Sequence, residues 1–363
     1  MRCSGLTNET RSRRQVAGLT LIELMVAMVI GLLVVLVAAR LYLGGSSAQR
    51  EVDDRGALME TGQMALELLS REVANAAFYP AVSSEATLSS GASGSNVLVS
   101  FDAAIQSLNN GQVPAALKTG VFGCSNGVLN ASQSECTAHA GGGAGDTLVV
   151  SYFTNDAFSL DVGQRADCTR ADVGNAAVNA TRVGTVVVPG EEDGEEVEQA
   201  RGSLGLPPVA PLLVANSYFL QPVQYVDASG NQVNTRALSC RGIGNPAAAV
   251  QLVPGVEQMV VRFGVMSDDT LTPKQFLSAT DVDSLAPLTL PNGGVYQPWQ
   301  RVVAVRLCIM VRSISASRFN DGGGARQIQD CNGDALNLPA GVAMERFTQV
   351  IGVKNRQLNT VGL

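Results

Sequence analysis

The sequence predicts an α+β protein in which one long N-terminal helix, membrane-spanning and then amphipathic, packs on a β-rich, disulfide-containing globular head. Three observations predict it. Residues 18–37 read GLTLIELMVAMVIGLLVVLV and carry a single charge, Glu23. Beyond them lies a stripe of apolar residues at three- and four-residue spacing. From Val82 the composition turns to Ser, Gly, Ala and Asn, broken by short β-like runs and six cysteines.

The apolar stretch comes first. Between Leu19 and Leu43 lie 25 residues, with Glu23 and Arg40 the only charges. A helix rising ~1.5 Å per residue crosses a bilayer core with about 20 apolar residues, so this one is long enough. Arg11, Arg13 and Arg14 stand immediately before the run 18–37 and Arg40 alone immediately after, which orients the N-terminus to the cytoplasm. A carboxylate inside a membrane helix costs roughly 2–3 kcal/mol or more unless paired or neutralised. Glu23 therefore either reaches back to the interface from about one turn inside, or has a function.

The second half of the helix is expected over residues 44–80. Leu58, Gly62, Ala65, Leu66, Leu69, Val73, Ala76 and Ala77 fall on one face, while Glu60, Glu67, Arg71 and Glu72 supply polar positions. Gly44-Gly45-Ser46-Ser47 is a soft spot where the helix is expected to bend or unwind. Pro80 is expected to end it.

The head, residues 81–363, carries strand patterns over 96–101, 147–153, 184–188, 212–220, 258–265, 302–311 and 347–353, each flanked by Gly, Pro, Asn or Asp. Gly141 to Gly145 lead into Asp146 and a strand rather than a helix, so they read as a hairpin turn and not a phosphate cradle. The acidic run 191–198 reads as a solvated loop. Asp330-Cys331-Asn332-Gly333-Asp334 has oxygen ligands at alternate positions but lacks the later Gly and terminal Glu of a calcium loop, so it reads as a turn held by Cys331.

Of seven cysteines, Cys3 precedes the apolar stretch; the others are Cys124, Cys136, Cys168, Cys240, Cys308 and Cys331. With one histidine and no C-x-x-C, disulfides are favoured over metal ligation. Six cysteines allow 15 pairings. Sequential pairing, 124–136, 168–240 and 308–331, is the expectation.

Gly18-Leu19-Thr20-Leu21-Ile22-Glu23, behind a short basic leader and ahead of an uninterrupted apolar run, resembles the prepilin processing site of type IV pilins and type II secretion pseudopilins. The resemblance implies a leader, residues 1–18, cut after Gly18 by a prepilin peptidase on the cytoplasmic face, with N-methylation of Leu19. It also implies that Glu23, fifth in the mature chain, meets the free amine of a neighbouring subunit in a filament core built from residues 19–43. Leu19 stands where the family most often has Phe. Arg40 stands where major pilins carry Pro, so their kink pattern is not carried over. In the C-terminal half, Val256-Glu257-Gln258-Met259-Val260-Val261-Arg262-Phe263-Gly264-Val265 resembles a strand of the PilW family of type IV pilus minor pilins. So do the stretches from Trp299 to Arg306 and from Phe347 to Arg356.

For function, the resemblance implies a structural subunit, expected to take part in pilus assembly near the tip. Its partners would be the prepilin peptidase, other minor pilins, the major pilin and a tip adhesin. It would sit in the inner membrane with its head periplasmic, and then in the pilus at the cell surface. The alternatives are a minor pseudopilin of type II secretion, usually much shorter than this chain, or a membrane-anchored or tip-exposed adhesion module. No G-x-S-x-G, H-E-x-x-H or Walker loop occurs. No catalytic residue, cofactor or metal is therefore assigned. The net charge is −7; residues 1–18 carry four arginines against Glu9, a net of +3, so their removal takes it to −10. Nucleic acid is a poor partner for such a chain.

Overall fold

A computed structural model describes residues 20–79, 87–88, 101–102, 105, 113–139, 145–154, 166–174, 176–180, 186–187, 212–226, 230, 232–267, 272–290, 295–313, 326–339 and 342–358. The chain divides into two compact units, Met1–Asp53 and Asp54–Leu363. The division falls within the first helix, α1, Leu21–Asn75.

In the first unit α1 passes through Gly44-Gly45 as helix. The expected bend is not a break in the hydrogen-bond ladder. Leu21–Gly45, 25 residues, is long and apolar enough to cross a membrane, and none of it is buried.

In the second unit α1 turns amphipathic. Leu58, Ala65, Leu66, Leu69, Val73 and Ala76 are buried, as their spacing predicts. The helix stops at Asn75, short of Pro80, for a local reason. Ala77 takes a positive φ of 55° and its N–H donates to the Ser151 carbonyl at 2.9 Å. Asn355 Nδ2 then donates to the carbonyls of Ala74 (3.1 Å) and Ala76 (2.9 Å), covering helix-end acceptors that the ladder leaves free.

Seventeen strands come after it among the described residues, numbered in chain order. The first sheet is built from β2 (Val121–Cys124), β5 (Thr147–Phe153), β7 (Leu213–Val226), β8 (Gln232–Gly242) and β9 (Val250–Pro254), antiparallel and neighbours in that order. The second sheet has the order β11 (Gln275–Leu277), β10 (Val256–Val265), β14 (Val302–Arg312), β17 (Met344–Gly352). Four two-stranded pairs complete the set. They join β1 (Thr87–Leu88) to β6 (Val186–Val187) and β3 (Gly127–Leu129) to β4 (Cys136–Ala138). They also join β12 (Leu288–Thr289) to β13 (Val295–Tyr296) and β15 (Arg326–Gln329) to β16 (Ala335–Leu338). Short helices α2 (Ala177–Ala180), α3 (Ala279–Asp283) and α4 (Lys354–Leu358) lie between and after them.

Two glycines join the sheets. The chain leaves β9 and enters β10 through Gly255, whose φ of 80° suits glycine. Its N–H donates to Arg236 O in β8 at 2.8 Å, and its carbonyl accepts from Arg312 N in β14 at 2.7 Å. At the second seam Gly145 bridges to Met259 of β10. A Cβ at Gly145 would lie 2.3 Å from Met259 O, so only glycine fits. The reading of Gly141 to Gly145 as a hairpin turn is corrected here. β4 pairs with β3 and β5 with β2 and β7, so the segment joins strands that are not partners. Residues 141–144 lie outside the described set.

The main core lies between α1 and both sheets. It takes Leu148, Val150, Tyr218 and Leu238 from the first sheet and Met259, Val261, Phe263, Val305, Leu307 and Ile309 from the second. A second core occupies the other face of the first sheet, around Phe101, Leu117, Val149, Phe153, Leu213 and Ala215. β5 and the first half of β7 are thus buried on both faces, which is why apolar residues stand at successive positions in Leu148-Val149-Val150 and Leu213-Val214-Ala215 rather than in strict alternation. A third, smaller cluster of Met310, Leu338 and Met344 lies beneath the β15–β16 hairpin. In the expected strand 96–101, Phe101 is helical and the other five residues fall outside the described set.

Candidate functional site

The first candidate site is the start of α1. Gly18 and Leu19, the expected cleavage and methylation positions, lie outside the described residues. Glu23 does not. Its Oε2 accepts from Thr20 N and from Thr20 Oγ1, both at 3.3 Å, and its own N–H donates to Thr20 Oγ1 at 3.3 Å. This is a reciprocal capping box, which satisfies two backbone donors at the helix start. It places a negative charge at the positive end of the helix dipole. Reading Glu23 alone misses the partner; the signal was Thr20-x-x-Glu23 ahead of an apolar run.

The exposed apolar surface that begins here has no counterpart elsewhere among the described residues. Leu21, Ile22, Leu32, Val35, Leu41 and Tyr42 are each more than 60% exposed. Each such side chain left in water forfeits roughly 1.5–3 kcal/mol of burial. A surface of this kind calls for lipid or for other apolar helices.

The described parts of the head are held by polar joints and cross-links. At the seam between its sheets Asp146 accepts from Val261 N (2.8 Å), Asn126 N (3.0 Å) and Arg262 Nη1 (3.0 Å), while Asp146 N donates to Met259 O at 2.8 Å. Disulfides join Cys124 to Cys136, Cys168 to Cys240 and Cys308 to Cys331. The first closes the strip between β2 and β4, the second ties the 166–172 loop to β8, and the third fastens the β15–β16 hairpin to β14. Arg356 reaches back from α4 to the carbonyls of Gln300 and Thr119. Burial pushes its guanidinium pKa down.

Asp330 heads the turn of the β15–β16 hairpin. Its Oδ1 accepts from Asn332 N (2.8 Å) and Asp334 N (2.9 Å), and its Oδ2 from Gln258 Nε2 (2.9 Å). Burial raises its pKa, but these hydrogen bonds outweigh it and hold the carboxyl below its ordinary value. Its oxygens serve the turn. The acidic run 191–198 lies outside the described residues. His139 Nε2 sits 3.0 Å from Gly145 O, beside the seam. Among the described residues no three His, Cys, Asp or Glu side chains converge as a metal site would require.

Comparison with known proteins agrees with these features. Residues 13–39 match the family model described as the prokaryotic N-terminal methylation motif. Residues 223–355, from the last four residues of β7 to α4 and including the whole second sheet, match the model described as Type IV Pilus-assembly protein W. No curated protein sequence and no solved structure is significantly similar to the chain. An apolar N-terminal helix with the methylation motif and a β-rich head carrying the assembly-protein region meet in one chain, and the two matches together support a type IV pilin of the PilW family.

Proposed function

We propose that the protein is a minor pilin of a type IV pilus, a structural subunit acting in pilus assembly near the tip. Residues 1–18 are a leader that prepilin peptidase removes after Gly18, with N-methylation of Leu19. Residues 19–43 first anchor the chain in the inner membrane, N-terminus cytoplasmic and head periplasmic, and later join the filament core. Residues 44–80 extend the helix onto the head, residues 81–363. Glu23 sets axial register against the amine of a neighbouring subunit, because an ammonium stranded in an apolar bundle needs a carboxylate and the reverse. Other minor pilins, the major pilin and a tip adhesin are the partners, and nothing in this role calls for catalysis.

The observation that carries the reading is the pairing of a methylation motif over 13–39 with a pilus-assembly region over 223–355. The test is intact mass and N-terminal sequencing of the protein recovered from membranes of a host with active peptidase. A chain beginning at N-methyl-Leu19 is expected. A chain beginning at Met1 would overturn the processing step and leave a single-pass anchor.

A further inference from the structure

Among the described residues the edges of the two large sheets are β2, β9, β11 and β17. An open edge pairs with stray chains, so natural sheets guard theirs with short strands, proline, bulges or charge. β2 has four residues and is tied at its end by the Cys124–Cys136 disulfide. β9 has five, ends in Pro254 and meets β8 with a register shift between Leu238 and Ser239. β11 has three, directly behind Pro273-Lys274. β17 has nine, contains no proline and keeps unbroken register with β14. Its two charges, Glu345 and Arg346, stand in its first three positions, and the run from Phe347 to Gly352 is uncharged.

The hydrogen bonds at the two ends of the β14–β17 ladder fix which groups face outward. Ser313 N donates to Ala343 O and Val353 N to Val303 O, both at 2.9 Å. Hydrogen-bonded pairs alternate along an antiparallel ladder. With the register unbroken between these ends, Glu345, Phe347, Gln349 and Ile351 bond β14. Arg346, Thr348 and Val350 turn their N–H and C=O groups the other way. Among the described residues no strand takes up that side of β17. Thr348, Gln349 and Val350 are exposed there. The helix α1 covers the inner face of β17, where Gly62 meets the Phe347 ring.

We propose that the β17 edge takes up an extended, uncharged, β-branched segment of another protein, which pairs with Arg346, Thr348 and Val350 and continues the second sheet by one strand. Main-chain hydrogen bonds supply the attraction. Thr348 and Val350 favour Val, Ile or Thr beside them, and from Phe347 onward the strand offers a charged segment no partner. A second copy of the chain fits less well. No other described edge matches nine residues, so two copies would meet β17 to β17, and a symmetric pair of that kind is antiparallel. The head portion of α1 runs beside β17 in the same direction, since Gly62 lies against Phe347 while Ala74 and Ala76 meet Asn355. Two paired copies would thus carry these helix segments in opposite directions, unlike subunits anchored in one membrane; this choice of occupant rests on the pilin reading above.

The test uses the full chain in detergent and an eight-residue peptide of alternating valine and threonine. N-methylation at every second residue leaves the peptide one pairing edge and keeps it from stacking on itself. Residue-level deuterium exchange on the free protein is expected to show the Arg346, Thr348 and Val350 amides exchanging at least about tenfold faster than those of Phe347, Gln349 and Ile351. The peptide is expected to slow the first three by about tenfold or more, and a peptide methylated at every residue to leave them unchanged. Thr348→Pro removes an N–H outside the β14 ladder, so it is expected to keep the parent's urea midpoint and to bind the peptide about tenfold more weakly. Should that variant fail to fold, the exchange results on the parent decide alone. Equal protection of all six amides in the free protein would show the edge already covered and overturn the proposal. So would the lack of any peptide effect up to about 1 mM, an equal effect of the fully methylated peptide, or parent-like binding by folded Thr348→Pro. Dimerisation of the parent in sedimentation, abolished by Thr348→Pro, would make a second copy the occupant and overturn the choice of another protein. None of these outcomes bears on where the mature chain begins, so the pilin reading stands or falls on its own test.

Discussion

Asn216 Nδ2 donates to Glu72 Oε2 at 2.9 Å, across the contact between α1 and the first sheet. Glu72 is the acidic side chain of α1 that enters this contact, and Tyr218 also hydrogen-bonds it. Burial raises its carboxyl pKa above the ordinary value, and these hydrogen bonds only partly offset the rise. Burial and then the Glu72 charge push the Tyr218 and Tyr152 hydroxyls far above their ordinary range. Both tyrosines therefore remain protonated.

The pH dependence comes from that direction. A carboxyl whose folded pKa is raised binds its proton more tightly in the native state than in the unfolded one. Its stabilising contribution is complete below the unfolded value, about 4.5, and is lost as pH rises through the folded value. Glu72→Gln keeps an acceptor for Asn216 and removes the buried charge. The variant is expected to be more stable than the parent at pH 7 and equal to it at pH 4. Urea denaturation at the two pH values checks this; equal stabilities at pH 7 would refute it.

Asp146 carries the second prediction. Asp146→Ala would leave Val261 N–H, Asn126 N–H and the Arg262 guanidinium without their acceptor, all at the seam between the sheets. Breaking one side of a buried, hydrogen-bonded ion pair costs about 3–5 kcal/mol. Asp146→Asn retains one oxygen for Val261 and is expected to cost about half as much. The urea midpoint should fall in the order parent, Asn, Ala. An Ala variant within about 0.5 kcal/mol of the parent would remove Asp146 from its joining role.

Gly62 and Phe347 carry the third. A Cβ at Gly62 would meet the Phe347 ring at 2.3–2.5 Å. Gly62→Ala gains about 1 kcal/mol of helix propensity. Overpacking costs about 1–3 kcal/mol, so a net loss is expected. Phe347→Leu alone is also expected to destabilise by about 1 kcal/mol. Combined, the two changes should relieve each other, with a favourable coupling of about 1 kcal/mol or more in a double-mutant cycle. Strict additivity would show that the ring moves aside freely.

Much of this arrangement was legible in the chain. The buried face of α1 tracks Leu58, Ala65, Leu69 and Val73 at helical spacing, because one stripe faces a core and the rest faces water. The expected strands over 147–153, 258–265 and 302–311 lie within β5, β10 and β14 because those segments are apolar enough to declare themselves. β8 did not. Thr235, Arg236 and Arg241 make it look like a loop, yet their polar groups are taken up by Glu257 and by Leu129 O. That compensation comes from residues far along the chain, so no local pattern reveals it. The same holds for Arg236 and Arg312, 76 positions apart, which both approach Glu257 only through the β8–β10–β14 arrangement. The expected helix end at Pro80 failed for a similar reason, since Ser151 and Asn355 decide where α1 stops.

The last prediction separates two roles of Glu23. The side chain caps its own helix through Thr20, and the proposed register role needs its negative charge. Glu23→Ala removes both, so a loss of piliation in that variant alone does not tell them apart. Glu23→Gln keeps an acceptor for Thr20 N–H and Oγ1 but loses the charge. Thr20→Ala keeps the charge and loses the cap, at a cost of about 1 kcal/mol. If charge pairing with a neighbour's amine is the role, Glu23→Gln and Glu23→Ala insert and are processed but assemble poorly, while Thr20→Ala assembles almost normally. Membrane fractionation, the size of the mature band and counts of assembled pili report the three steps separately. Gly18→Leu, expected to persist as full-length precursor, serves as the processing control. The opposite pattern, with Thr20→Ala defective and Glu23→Gln normal, would make the cap the function of Glu23 and remove it from subunit register.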